Sequence, residues 1–124
     1  DLERHLSEAA LRARTQGIAY LVLRLKRARN PDVVALEALD KFLSQARRDG
    51  LTILLAGVRT DLLGALRRVG IVDHHGAELI FPEGEEEYSG TLKAIRKAYT
   101  LLRNEQSHRG SLPPSPGDSA YYLV

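Results

Sequence analysis

Four short stretches carry side chains able to do chemistry. "DHHG" (73–76) sets Asp73 beside two adjacent histidines and is the obvious candidate for a metal. Adjacent residues of an extended chain point to opposite sides, so one ion would rarely take both rings, and there is no cysteine to complete a ligand set. A polar turn is therefore the expected reading, and His5 and His108 are too remote in sequence to change it. "PEGEEEYSG" (82–90) brings four carboxylates together, Glu83, Glu85, Glu86 and Glu87. Carboxylates run acid–base chemistry when burial separates their pKa values; ahead of a helix they are expected to be solvated and favoured by its dipole. The hydroxyls near strand ends, Thr15, Thr52 and Thr60, have no neighbouring histidine to activate them.

The fourth stretch is "RNPDVVALEAL" (29–39), where an Asn30-Pro31 turn leads to Asp32 and then an apolar run with helical spacing. As an N-cap, Asp32 would accept from an orphan N–H of the first turn, worth about 1 kcal/mol. If the preceding strand belongs to a parallel sheet, Asp32 also lies at the carboxyl ends of the strands, where α/β proteins bind ligands. Thr60 and Asp61 hold the equivalent place after the next strand. Neither GxxxxGK[ST] nor a GxGxxG following a strand occurs. No enzymatic activity and no cofactor is expected.

The elements that would position these residues follow from periodicity. Leu2, Leu6, Ala9, Ala10 and Ala13 share one face of a first helix ended by Gly17. "IAYLVLRL" (18–25) is nearly continuously apolar, as for a strand covered on both faces. Leu36, Leu39, Leu43 and Ala46 define a second helix that stops at Gly50. "LTILLAGV" (51–58) is a second buried strand. A third helix follows, with Thr60 or Asp61 as its N-cap and Leu62, Leu63, Leu66 and Val69 inward. A short strand "ELIF" (78–81) ends at Pro82, and Leu92, Ile95, Tyr99 and Leu102 share a face of the last helix.

This alternation predicts an α/β fold with a parallel sheet and right-handed crossovers. Three strands make a thin sheet with an exposed apolar edge, and the first helix has no strand before it. Strands are therefore expected upstream of Asp1 or from a partner. The chain lacks methionine and opens within a helix, which suggests a piece of a longer protein. Residues 1–106 are expected to form one domain and 107–124 a flexible Ser/Pro/Gly-rich tail. The final "YYLV" could add to a sheet edge.

Composition excludes several classes. With 124 residues the chain can bury one core without disulfides. Eighteen Lys and Arg against sixteen Asp and Glu leave a net charge of +2, too balanced for a nucleic-acid footprint. No apolar run approaches the roughly 20 residues needed to cross a bilayer, and a soluble domain is expected.

The stretch from Tyr20 to Asp73, with the Asp32 turn, "LEAL" (36–39), "GLTILLAGV" (50–58) and "LLGALRRVGIVD" (62–73), resembles the STAS domain of sulfate transporters and anti-sigma factor antagonists. It is most similar to the cytoplasmic carboxyl-terminal domain of SulP-type anion permeases. The resemblance covers residues 1 to about 103 and implies strands before the first helix. It also implies a regulatory module at the cytoplasmic face of the cell membrane, with the membrane domain of the same transporter, a second copy and a cytosolic regulatory protein as partners. Asn30, Pro31, Asp32, Val33 and Val34 would form its interaction loop, with Thr60 and Asp61 as anion or nucleotide contacts. The basic positions Arg24, Lys26, Arg27 and Arg29 are further contact candidates. In the antagonist branch the equivalent turn carries Ser or Thr after the Asp, where a kinase phosphate is placed at the helix N-terminus. Here Val33, Val34 and Ala35 follow Asp32, so no hydroxyl is available at this turn. The alternative is a stand-alone anti-sigma factor antagonist or stressosome-like protein, which would be expected to keep that hydroxyl.

Overall fold

Tyr20–Arg24 (β1) and Thr52–Val58 (β2) lie side by side in parallel, from Tyr20 opposite Thr52 to Arg24 opposite Ala56. The computed structural model describes residues 2–25, 32–84, 88–109 and 119–123. Ile80–Pro82 (β3) pairs in parallel with the free side of β2, and Ser119–Leu123 (β4) with the free side of β1, giving the order β3-β2-β1-β4. The interior strands are the ones whose sequences are continuously apolar, because helices cover both of their faces.

Those helices are Leu2–Gln16 (α1), Val33–Arg48 (α2), Thr60–Arg68 (α3), the short Ile71–His75 (α4) and the long Ser89–Arg109 (α5). The two-residue period of the strands divides the core. Leu21, Leu23, Ile53 and Leu55 face one way and pack with Leu6 and Ala9 of α1, Leu36, Leu39 and Leu43 of α2, and Leu62 and Leu66 of α3. Val22, Leu54 and Ala56 face the other way and pack against Ala94 and Ala98 of α5. The inward stripe expected for α2 is the one observed, Leu36, Leu39, Leu43 and Ala46. Gly17 and Gly50, at φ +65° and +79°, close α1 and α2 in a conformation that costs a residue with a Cβ.

Several expectations are corrected. The last helix turns a different face to the sheet: Thr91, Ala94, Ala98 and Leu102 are buried, while Leu92 is 50% and Tyr99 37% exposed. Both stripes have helical spacing, and the sheet takes the one whose small side chains let α5 come close. In α3, Ala65 is buried instead of Val69, which is 52% exposed. The third strand begins at Ile80, because Ala77–Leu79 forms a 3₁₀ turn. The segment expected as a wholly flexible tail is structured at both ends, since α5 continues through Arg109 and β4 follows. The edge of β1, expected to await a strand from elsewhere, is covered by β4.

Candidate functional site at the carboxyl ends of the strands

In a parallel sheet every strand delivers its following segment to the same end, so the Asp32 turn after β1, the Arg59–Thr60 turn after β2 and the Glu83 turn after β3 lie along one rim. Asp32 sits in an extended conformation (φ −76°, ψ 174°), and its carboxylate accepts a hydrogen bond of 2.8 Å from the Ala35 N–H. It therefore caps α2, as its sequence position predicts. Val33 and Val34 are the first residues of α2 and are 67% and 70% exposed. Val33 also lines a shallow groove of about 210 Å³ with Leu36, Val69 and Ile71, flanked by Glu37 and Asp40. Asn30 and Pro31, like Lys26, Arg27 and Arg29, lie outside the described residues.

At the second turn the cap expectation is corrected. Arg59 is the N-cap of α3, with no side-chain capping bond, and Thr60 and Asp61 are exposed first-turn residues. Asp61 still favours the positive end of the helix dipole.

At the third turn the structure assembles a group that periodicity does not reveal. Arg24, placed among exposed basic positions by its sequence neighbours, is buried in β1 at 2% exposure. Its Nη2 lies 3.4 Å from Glu83 Oε2, and its guanidinium stacks 4.0 Å above the ring of Tyr88. Such stacking contributes most where water is excluded. Glu83 is likewise not a freely solvated carboxylate. Its Oε1 accepts from the Gly90 N–H at 3.1 Å and from the Ser89 hydroxyl at 3.3 Å, and Ser89 Oγ in turn accepts from the Gly84 N–H at 2.7 Å. Partial burial pushes the Glu83 pKa up, but the Gly90 N–H, Arg24 and Ser89 outweigh it and hold it below the ordinary value. The carboxylate thus occupies the amino end of α5, where the dipole favours negative charge.

Two glycines permit this packing. Gly57 (φ +63°) sits at the irregular β2–β3 register against the Arg24 side chain. A Cβ on Gly90 would fall 2.6 Å from the Pro82 carbonyl oxygen and 2.8 Å from that of Phe81. A basic residue flanked by large apolar ones, as in "LVLRL", is the sequence signal for a buried cation needing a carboxylate. Which of the four glutamates supplies it depends on the turn.

The "DHHG" stretch is also corrected. It forms α4 instead of an extended polar turn, and His75 is buried with its ring Nε2 donating to the Ile53 carbonyl at 2.8 Å. Burial lowers its pKa from the ordinary 6.5, outweighing the opposing effect of that hydrogen bond. The Arg47 guanidinium donates to the carbonyls of His74 and His75, each at 3.0 Å, and caps the helix. Among the described residues no cluster of three His, Cys, Asp or Glu is placed to hold a metal ion, and no helix is long and apolar enough to cross a membrane.

A parallel sheet order of β3-β2-β1-β4, with α1 to α4 on one face and α5 on the other, defines an α/β domain of the class built around a capped turn after its central strand. Residues 1–86 match the family model described as the STAS domain, and the chain belongs to that family. A solved structure described as a sulfate transporter family protein from Wolinella succinogenes is similar, with 30% sequence identity and a TM-score of 0.58. The match covers 68% of this chain and 63% of that one, so this chain spans less than two thirds of that neighbour. A search of curated proteins finds no match.

Proposed function

We propose that this chain is the cytoplasmic regulatory and interaction domain of a SulP-type inorganic anion transporter, of the sulfate or bicarbonate class, and that it works by binding rather than by catalysis. The observation that carries the reading is the likeness, in sequence and fold, to a protein described as a member of the sulfate transporter family. In this reading the permease portion moves the anion, and this domain gates or stabilises it through contacts with the membrane domain, a second copy or a cytosolic regulator. The contact surface is the start of α2, where exposed Val33 and Val34 stand beside the groove closed by Val69. Exposed valines at a helix N-terminus gain nothing from water and favour a partner's apolar surface.

Val33, Val34 and Ala35 also set the mode of regulation. A kinase switch at this turn needs a hydroxyl, and none follows Asp32, so the domain acts as a constitutive contact at this position. The test is uptake of labelled sulfate and bicarbonate by the transporter carrying this domain, reconstituted in vesicles, with and without Val33→Asp/Val34→Asp. The expected result is altered uptake and weakened co-purification with the membrane domain, while domain stability stays within about 0.5 kcal/mol, as for surface substitutions. Unchanged uptake and unchanged co-purification would reject the reading. A start codon within about 20 residues upstream of Asp1, too few for one membrane span, would favour the stand-alone signalling protein instead.

A further inference from the structure

β1 is an apolar interior strand, buried on both faces, and its second edge is covered by β4 in five-residue parallel register, from Tyr20 opposite Ser119 to Arg24 opposite Leu123. We propose that β4 is exchangeable, and that two copies of this chain form a dimer by each laying Ser119–Leu123 along the other's Tyr20–Arg24. The edge of β1 is thus a strand-accepting groove whose partner is a second copy.

Three observations carry this. The pairing is a backbone ladder in a register set by β1, so the identical segment of a second copy makes the same bonds as the resident one. The edge cannot stay bare, because an uncovered apolar strand is a template for any extended segment. Finally, α5 ends at Arg109 and β4 begins at Ser119, and the connecting residues 110–118 include Pro113, Pro114 and Pro116. Proline-rich connections behave as semi-rigid spacers. A connection that resists folding back lowers the advantage of the chain's own strand over a neighbour's, the usual origin of strand exchange.

Closed and exchanged forms contain the same pairing, so concentration decides between them. A short flexible tether holds its strand at an effective concentration in the millimolar range, and a stiff one at less. The proposal therefore expects monomer at about 10 µM and a substantial dimer fraction near 1 mM, values chosen to bracket that range.

The experiment is light scattering coupled to size exclusion on the 124-residue chain at both concentrations, together with Ala120→Pro/Tyr121→Pro. Every second N–H of an edge strand points to its neighbour, so prolines at both positions remove a ladder bond whichever one donates. A concentration-dependent dimer that the double proline variant loses supports exchange. A monomer at every concentration, or a dimer that survives the prolines, overturns it. Because the chain has no cysteine, Tyr20→Cys/Ser119→Cys gives a second reading at paired positions. Oxidation should link the cysteines within one chain when dilute and between two chains when concentrated, and links within one chain alone at both concentrations would refute exchange. The transporter reading does not depend on this outcome, since contact through Val33 and Val34 would be unaffected by a failure of β4 to exchange.

Discussion

Replacing Glu83 by alanine removes the carboxylate that joins three parts of the rim: Arg24 of β1, the turn after β3 and the first turn of α5. Taking one partner from a fully buried ion pair costs roughly 3–5 kcal/mol, because the remaining charge stays desolvated. Here the Arg24 side chain is 3% exposed but that of Glu83 is 25% exposed, and the closest contact is long at 3.4 Å. Water can therefore reach the vacated place and partly solvate the guanidinium, which brings the expected loss down to about 2 kcal/mol. With a urea m value of about 2 kcal/mol/M the unfolding midpoint should fall by about 1 M. Arg24→Met removes the charge while keeping an apolar stem. The Arg24→Met/Glu83→Ala pair should therefore be more stable than the sum of the single losses, by a coupling of about 1 kcal/mol. The same carboxylate fixes a pH dependence. With its pKa held below the ordinary 4.5, the folded state binds fewer protons than the unfolded chain in the window beneath that value. The stabilisation is complete above pH 4.5 and is lost as pH falls through the folded value. A Glu83→Ala midpoint within about 0.2 M of wild type, less than a quarter of the shift worked above, or strict additivity in the cycle, would show that the assembly is not a coupled unit.

The remaining predictions concern other parts of the structure. His75, with a pKa below 6.5 in the folded state, should make the domain lose stability as pH drops from 6.5 toward the folded value; His75→Gln should flatten that slope in urea titrations. Gly90→Ala should destabilise by about 1–3 kcal/mol, since the new methyl meets the Phe81 and Pro82 carbonyls rather than a movable side chain, and thermal unfolding will report it. Asp32→Ala should cost about 1 kcal/mol through the lost bond to Ala35, measured by urea unfolding. On α5, Ala98→Leu should be more damaging than Leu92→Ala, by about 1–3 kcal/mol against less than about 0.5, because Ala98 faces the sheet and Leu92 faces water.

The elements whose identity the sequence carries most plainly are β1, β2 and α2. Continuous apolar runs cannot be satisfied except by cover on both faces, and the spacing of Leu36, Leu39, Leu43 and Ala46 admits one inward face. The Asp32 cap was legible for the same local reason, since a carboxylate one residue before a helix reaches the N–H three positions on. Thr60 and Asp61 look equally good as caps, yet the chain enters α3 with Arg59 at that position. The choice among adjacent candidates depends on how β2 delivers the turn, which is not a local property.

Residue order alone thus determined an alternating α/β chain, its two central strands, the capped turn after β1 and the absence of a hydroxyl there. Tertiary structure decided which stripe of α5 meets the sheet, that Arg24 is buried against Glu83 and Tyr88, that His75 lies beneath the Ile53 carbonyl, and that residues 119–123 close the edge of β1. The division has a physical basis. Periodicity and capping act over a few residues and can be read from spacing. A helix with two usable faces, a cation with four candidate carboxylates and a strand that pairs across nearly the whole chain are settled by close packing between segments distant in sequence.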